Sequence, residues 1–166
     1  MSRAFVKEGA PETPVVIPPR PPLPAGVPNY VTPRGLAALR AEKADLESQR
    51  AALGPDEARA REEVTGRMKA LVERIAAAQV VDPEKVSTDR ARFGTTVEVE
   101  SEDGSRRTFR IVGVDEAGAL GGVAGGAAAF TAPIARAVIG KAVGETGDLK
   151  TPKGSERLTV LSITRG

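Results

Sequence analysis

The sequence contains no cysteine, no histidine and no tryptophan, and only 3% of its 166 residues are aromatic. Without cysteine there can be no disulfides, thiolate metal sites or cysteine nucleophiles, and without histidine the commonest metal ligand and general base is missing. Any chemistry must rest on carboxylates, Lys, Arg or hydroxyl groups. No apolar run approaches the roughly 20 residues of a membrane-spanning helix. Residues 1–14 carry no apolar core of the signal-peptide kind. The expectation is a cytoplasmic protein with no membrane partner. An excess of one charge is also lacking, since 24 Lys and Arg face 22 Asp and Glu for a net charge of +2. A uniform basic field gripping nucleic acid is thereby excluded, leaving contact only through a partner.

What is present, 40% hydrophobic and 28% charged residues, suits a soluble fold with a core of small aliphatics. The length fits one ordinary domain or two small ones. The chain is organised around residues 32–79, which read as two amphipathic helices folded back at Leu53-Gly54-Pro55-Asp56. Thr32 is a natural N-cap, and Pro33 stands at the first helical position, where its missing N–H is not needed. On the first arm Leu39, Leu46 and Leu53 recur every seven residues, but after Leu36 the intervening seam positions are Lys43 and Arg50. Val64, Met68, Leu71, Ile75 and Ala78 keep the four-three spacing of a coiled-coil seam on the second. A short loop makes the pair antiparallel. Each arm would extend about 30 to 35 Å, and an isolated hairpin of that length is marginal unless its base is anchored.

Before the hairpin, residues 1–29 hold the run Pro18-Pro19-Arg20-Pro21-Pro22-Leu23-Pro24, which forces extended conformations and offers no periodic apolar face. They read as a disordered tail or stiff spacer, or else as a docking peptide. Met1 to Glu8 is the part of the tail with apolar residues able to dock. After the hairpin, Val80-Val81-Asp82-Pro83 ends the second arm, because the residue before proline is pushed out of the helical region. The hydrophobic period then changes to two. Val97 and Val99, a turn at Glu102-Asp103-Gly104-Ser105, then Phe109 and Ile111, predict an antiparallel hairpin. A third strand is expected over 158–163, behind a turn at Thr151-Pro152-Lys153-Gly154. Between them 133–139 reads as a short helix with Pro133 first and Gly140 just past its end. Residues 118–129, although glycine-rich, lack the Gly-Lys-Ser/Thr ending of a phosphate loop and read as a flexible connection. The fold class is therefore α+β, with one small helix on one face of an antiparallel sheet. Expected boundaries are a tail over 1–29, the helical hairpin over 30–80, a linker over 81–92 and the sheet domain over 93–166.

These residues resemble the bacterial GreA/GreB factors, which bind RNA polymerase and stimulate cleavage of backtracked transcripts. Tyr30-Val31-Thr32-Pro33-Arg34-Gly35 is similar to the family's opening before its Leu-rich helix. The likeness continues through Ala78-Gln79-Val80-Val81-Asp82, Phe93-Gly94-Thr95-Thr96-Val97, residues 110–117 and residues 133–141, and closes at Thr151-Pro152-Lys153-Gly154. The leader, Met1 to Glu8, looks like that of some GreB-like members. The resemblance implies a coiled-coil arm followed by a C-terminal domain of FKBP-like topology, and a GreB-like member with a shortened arm. In cleavage-active members the tip of a longer arm carries an acidic motif that helps hold a metal ion and water in the polymerase active site. Here that motif is absent, the arms are shorter by roughly two or three turns each, and the apical acids are Asp56 and Glu57. Where the family often has Asp-Ser-Pro at its polymerase-docking loop, this chain has Thr131-Ala132-Pro133, of which only Pro133 carries over.

No catalytic residue is assigned; Asp56 and Glu57 are the tip candidates, since a metal-organising pair would have to lie at the apex, and the structural role is preferred for them. Their structural reading places both in the first helical turn after Pro55, favourably opposing the helix dipole. Glu62 and Glu63 read as a solvated helix face. What the resemblance implies is a monomeric accessory factor of RNA polymerase and not an enzyme. It has no cofactor of its own, any Mg²⁺ being the polymerase's, and its arm enters the secondary channel to modulate or occlude. The alternatives are full cleavage stimulation with Asp56 and Glu57 as replacement acids, regulation of another protein, and an FKBP-like prolyl isomerase. A fold does not carry an activity with it, however, and that domain offers only Phe93, Phe109 and Phe130 to line an isomerase pocket.

Overall fold

The computed structural model describes residues 13–166; Met1 to Glu8, with its expected capacity to dock, lies outside them. The chain forms strand β1 (Asn29–Val31), helix α1 (Pro33–Ala52), helix α2 (Ala58–Ala76) and strand β2 (Ala78–Val80). A sheet domain follows: β3 (Thr95–Ser101), β4 (Arg106–Val112), α3 (Val114–Ala119), β5 (Ala127–Ala129), α4 (Pro133–Val138), β6 (Thr146–Thr151) and β7 (Gly154–Arg165). The α+β class and the arm-then-sheet order match the sequence reading.

Thr32 caps α1 as expected, its hydroxyl oxygen accepting the Gly35 N–H at 2.9 Å with Pro33 in the first turn. The expected seam is what buries the hairpin. Val31, Leu39, Leu46, Val64 and Leu71 form its core, flanked by half-buried Leu36, Leu53, Met68, Ile75 and Ala78. At 1.5 Å per residue the 20 residues of α1 and 19 of α2 make an arm of about 30 Å. The second helix ends at Ala76, three residues before the expected position, because the chain leaves it to pair in parallel with β1, in the register Asn29 to Ala78 and Val31 to Val80. Three-residue strands carry too little alternation to be read from sequence.

The main sheet has the order β5-β4-β3-β7-β6. Thr95, Val97, Val99 and Ser101 of β3 face inward in strict alternation, and with Phe109, Ile111, Leu158 and Val160 they bury one sheet face under Ile134, Ala135 and Val138 of α4. Helix α4 begins at Pro133, and Gly140 follows its end at φ +84°, a conformation that costs glycine nothing. Three features correct the sequence reading. The sheet is not wholly antiparallel, since β5 runs parallel to β4. There are two short helices in the domain instead of one. Residues 118–129 are not a plain connection: they contain the end of α3, a single 3-10 turn at Gly122–Gly125 and the strand Ala127-Ala128-Ala129. Three alanines have no hydrophobic alternation to betray a strand; Ala127 and Ala128 are buried because β5 lies against β4 and α3.

Residues 13–28 fall within the expected tail or spacer over 1–29. They run without regular structure alongside the arm, and Arg20 is ion-paired to both the arm and the sheet domain.

Candidate functional site

The hairpin tip is a β-turn. The Glu57 N–H donates to the Gly54 carbonyl at 3.2 Å, which puts Pro55 at the second position of the turn, where its fixed φ is favoured. Reversal therefore consumes residues 54–57, and α2 starts only at Ala58, with Glu57 at its N-cap position. This corrects the placement of Asp56 and Glu57 in the first helical turn, where neither lies. The two tip acids also differ from each other. Glu57 Oε2 accepts the Gly54 N–H at 2.8 Å, while Arg61 donates to the carbonyls of Leu53 at 2.9 Å and Gly54 at 3.2 Å. Asp56 is exposed, and among the described residues it has no hydrogen bond or ion pair. Among the described residues no three His, Cys, Asp or Glu side chains are grouped to hold a metal ion. Glu57→Ala is expected to lower stability by about 0.5 to 1 kcal/mol, the net value of one exposed hydrogen bond. Asp56→Ala should leave it within about 0.5 kcal/mol. Urea unfolding of the two variants checks this, and equal losses would mean that Glu57 does not close the turn.

Thr131, Ala132 and Pro133 lie on another element, the turn that enters α4. Ala132 occupies the N-cap position with no side-chain cap, so the first N–H groups of the helix lack the hydroxyl or carboxylate that Ser or Asp would supply. Thr131 and Ala132 are half-buried and Pro133 is exposed. Tip acids and turn are thus not brought into one site. What the sequence reading missed is how close the turn stands to the base of the arm. Phe130, immediately before it, packs with Tyr30 of β1 and with Phe93, all three ring centroids lying 5.6–5.8 Å apart. Phe109, by contrast, is fully buried in the sheet core. The aromatics considered for an isomerase pocket therefore serve as packing.

The second missed feature is the buried joint below α1. Glu116 of α3, its side chain 6% exposed, accepts the Thr32 hydroxyl at 2.6 Å through Oε2 and pairs with Arg110 at 3.4 Å through Oε1. A Cβ on Gly35 would lie 2.9 Å from that same Oε2. Thr32 and Gly35 thus do more than begin a helix: one hydroxyl caps α1 and donates to the sheet domain, and the glycine leaves room for the carboxylate. The Thr-Pro-Arg-Gly spacing is a visible signal of a cap, but its partner is 84 residues away.

A helical-hairpin arm set on a small mixed-sheet domain is the class of protein this chain represents. Residues 86–165 match the family described as transcription elongation factor, GreA/GreB, C-term. The chain is 36% identical over 156 residues to the transcription elongation factor GreA of Rhodospirillum rubrum, covering 82% of this chain and 97% of that one. It is 33% identical over 155 residues to the GreB of Neisseria meningitidis, covering 81% and 93%. The chain belongs to the GreA/GreB transcription elongation factor family. Against the GreA of Maricaulis maris the match, 36% identical, spans 62% of this chain and 64% of that protein. Among solved structures the chain resembles GreA factor homolog 1 (Gfh1) of Thermus thermophilus, with 21% identity, 83% of this chain and 99% of that one covered, and a TM-score of 0.39. Among the described residues no helix is long and apolar enough to cross a membrane.

Proposed function

We propose that this chain is an accessory factor that binds RNA polymerase through its sheet domain, including Thr131, Ala132 and Pro133, and directs its arm into the secondary channel. It modulates or occludes that channel and does not strongly stimulate transcript cleavage. Nucleic acid is met only inside the polymerase complex, and any Mg²⁺ belongs to the polymerase. The observation that carries the reading is the tip itself. It has two acids, one of which commits a carboxylate oxygen to the Gly54 N–H and so closes the turn. Stimulated hydrolysis needs carboxylate oxygens at about 2 Å from the metal. An arm two or three turns shorter than those of cleavage-active members falls short by roughly 10 to 15 Å, beyond the reach of a side chain. The same arm would still narrow the channel and compete with longer channel-binding factors.

The test is a backtracked elongation complex saturated with the full chain. The expected result is no added cleavage and inhibition of an active Gre factor supplied alongside, with both properties kept by the Asp56→Ala/Glu57→Ala double variant. Robust cleavage that is lost in the double variant would instead make the tip acids catalytic. Failure of the chain to co-purify with polymerase would remove the assignment and favour a different protein partner.

A further inference from the structure

We propose that residues 13–28 form an intramolecular strap that clamps the arm onto the sheet domain, with Arg20 as its fastening residue and Gly66 as its seat. Arg20 holds two bodies at once. Its guanidinium makes a two-pronged contact with Glu42 of α1, at 2.9 and 3.0 Å, and donates from Nε and Nη2 to Asp115 Oδ1 of α3, at 3.1 and 2.9 Å. Arg74 of α2 completes the cluster, its Nε 3.3 Å from Asp115 Oδ2 while its guanidinium also donates to the strap carbonyl of Pro21. Two cations and two carboxylates from four segments thus neutralise one another at the junction. Arg20 is 19% exposed and Asp115 9%, so both depend on this pairing to replace the water they have lost. Hydrogen bonds from Arg20 hold the Glu42 carboxyl below the usual carboxylate range, and those same bonds raise Arg20.

The independent observation is Gly66. It lies in the interior of α2, where glycine is the least favourable residue apart from proline. A Cβ built there would meet Ile17 Cδ1 at 1.8 Å and Cγ1 at 2.9 Å. The helix gives up propensity at the position where the strap's isoleucine rests. Farther along the strap, Pro21 Cγ stands 3.6 Å from where a Cβ on Gly118 of α3 would lie. The proline run keeps the intervening chain extended at little entropic loss, which suits a tie between two fixed points.

The clamp is intramolecular and forms without polymerase. Its first test is a thermal-unfolding cycle in the full chain. In an Ile17→Ala background, Gly66→Ala should give the ordinary helix gain, about 2–4 °C in Tm. In the wild-type background it should give no gain or a loss. Equal gains in both backgrounds would show that the strap is not seated. The second test uses the absence of cysteine: spin labels on cysteines introduced at Ala51 and Thr108, both exposed, report the distance from arm to sheet domain. Arg20→Ala should broaden that distribution, and an unchanged width would overturn the clamp.

Discussion

Replacing Glu116 with alanine should destabilise the protein by about 3 kcal/mol, the lower end of what breaking a buried ion pair from one side costs. The loss is large for a domain whose total stability is of order 5–15 kcal/mol. Glu116 is buried under α1 and holds two partners that cannot easily replace it. The Thr32 hydroxyl, itself buried, would lose its acceptor. Arg110 would keep a guanidinium whose buried Nε already lacks a partner among the described residues. Glu116→Gln should fall between the two, since its amide oxygen still accepts from Thr32 while the charge is gone. The double replacement of Glu116 and Arg110 by methionine should recover much of the alanine loss, because removing both charges leaves neither stranded. Urea unfolding measures all three. A loss below about 0.5 kcal/mol in Glu116→Ala would mean that the joint contributes nothing net.

The second large effect is expected in the arm. Leu71→Ala removes a side chain that is fully buried between the helices, where truncation of leucine typically costs about 2–5 kcal/mol. The arm is held by a small cluster in which, among the described residues, Leu46 and Leu71 are the fully buried members. The sheet domain has its own core, built from residues that make no use of Leu71. The variant should therefore lose two-state behaviour: hydrogen-exchange protection disappears from α1 and α2 while β3, β4 and β7 keep theirs. Leu53→Ala, at the half-buried end near the tip, should cost much less. Uniform loss of protection across both parts would show that arm and sheet unfold as one unit.

The arm was legible because its information is local. A hydrophobic seam at four-three spacing, a Thr-Pro start and a Gly-Pro reversal each act within a few residues, so a helical hairpin can be read without knowing any distant partner. The strands β3, β4 and β7 were legible for the same reason, their alternation being long enough to identify one buried face. Strands β1, β2 and β5 were not, because three residues, or three alanines, leave no period to read. The residues that join the parts were likewise hidden. No local pattern around Glu116, Gly66 or Arg20 marks any of them as a joint. Each acquires its role from a partner far along the chain: Thr32 for Glu116, Ile17 for Gly66, Glu42 and Asp115 for Arg20. The tip shows both limits together. The sequence determined by itself that Asp56 and Glu57 would sit at the apex, since the turn chemistry is local. What the residue types alone leave open is the turn's geometry: Glu57 folds back onto the Gly54 N–H, three residues away, while Asp56 faces solvent, because a four-residue reversal delays the start of α2 and leaves both acids outside the helix. The partners of Glu116, Gly66 and Arg20, by contrast, are set by tertiary structure alone.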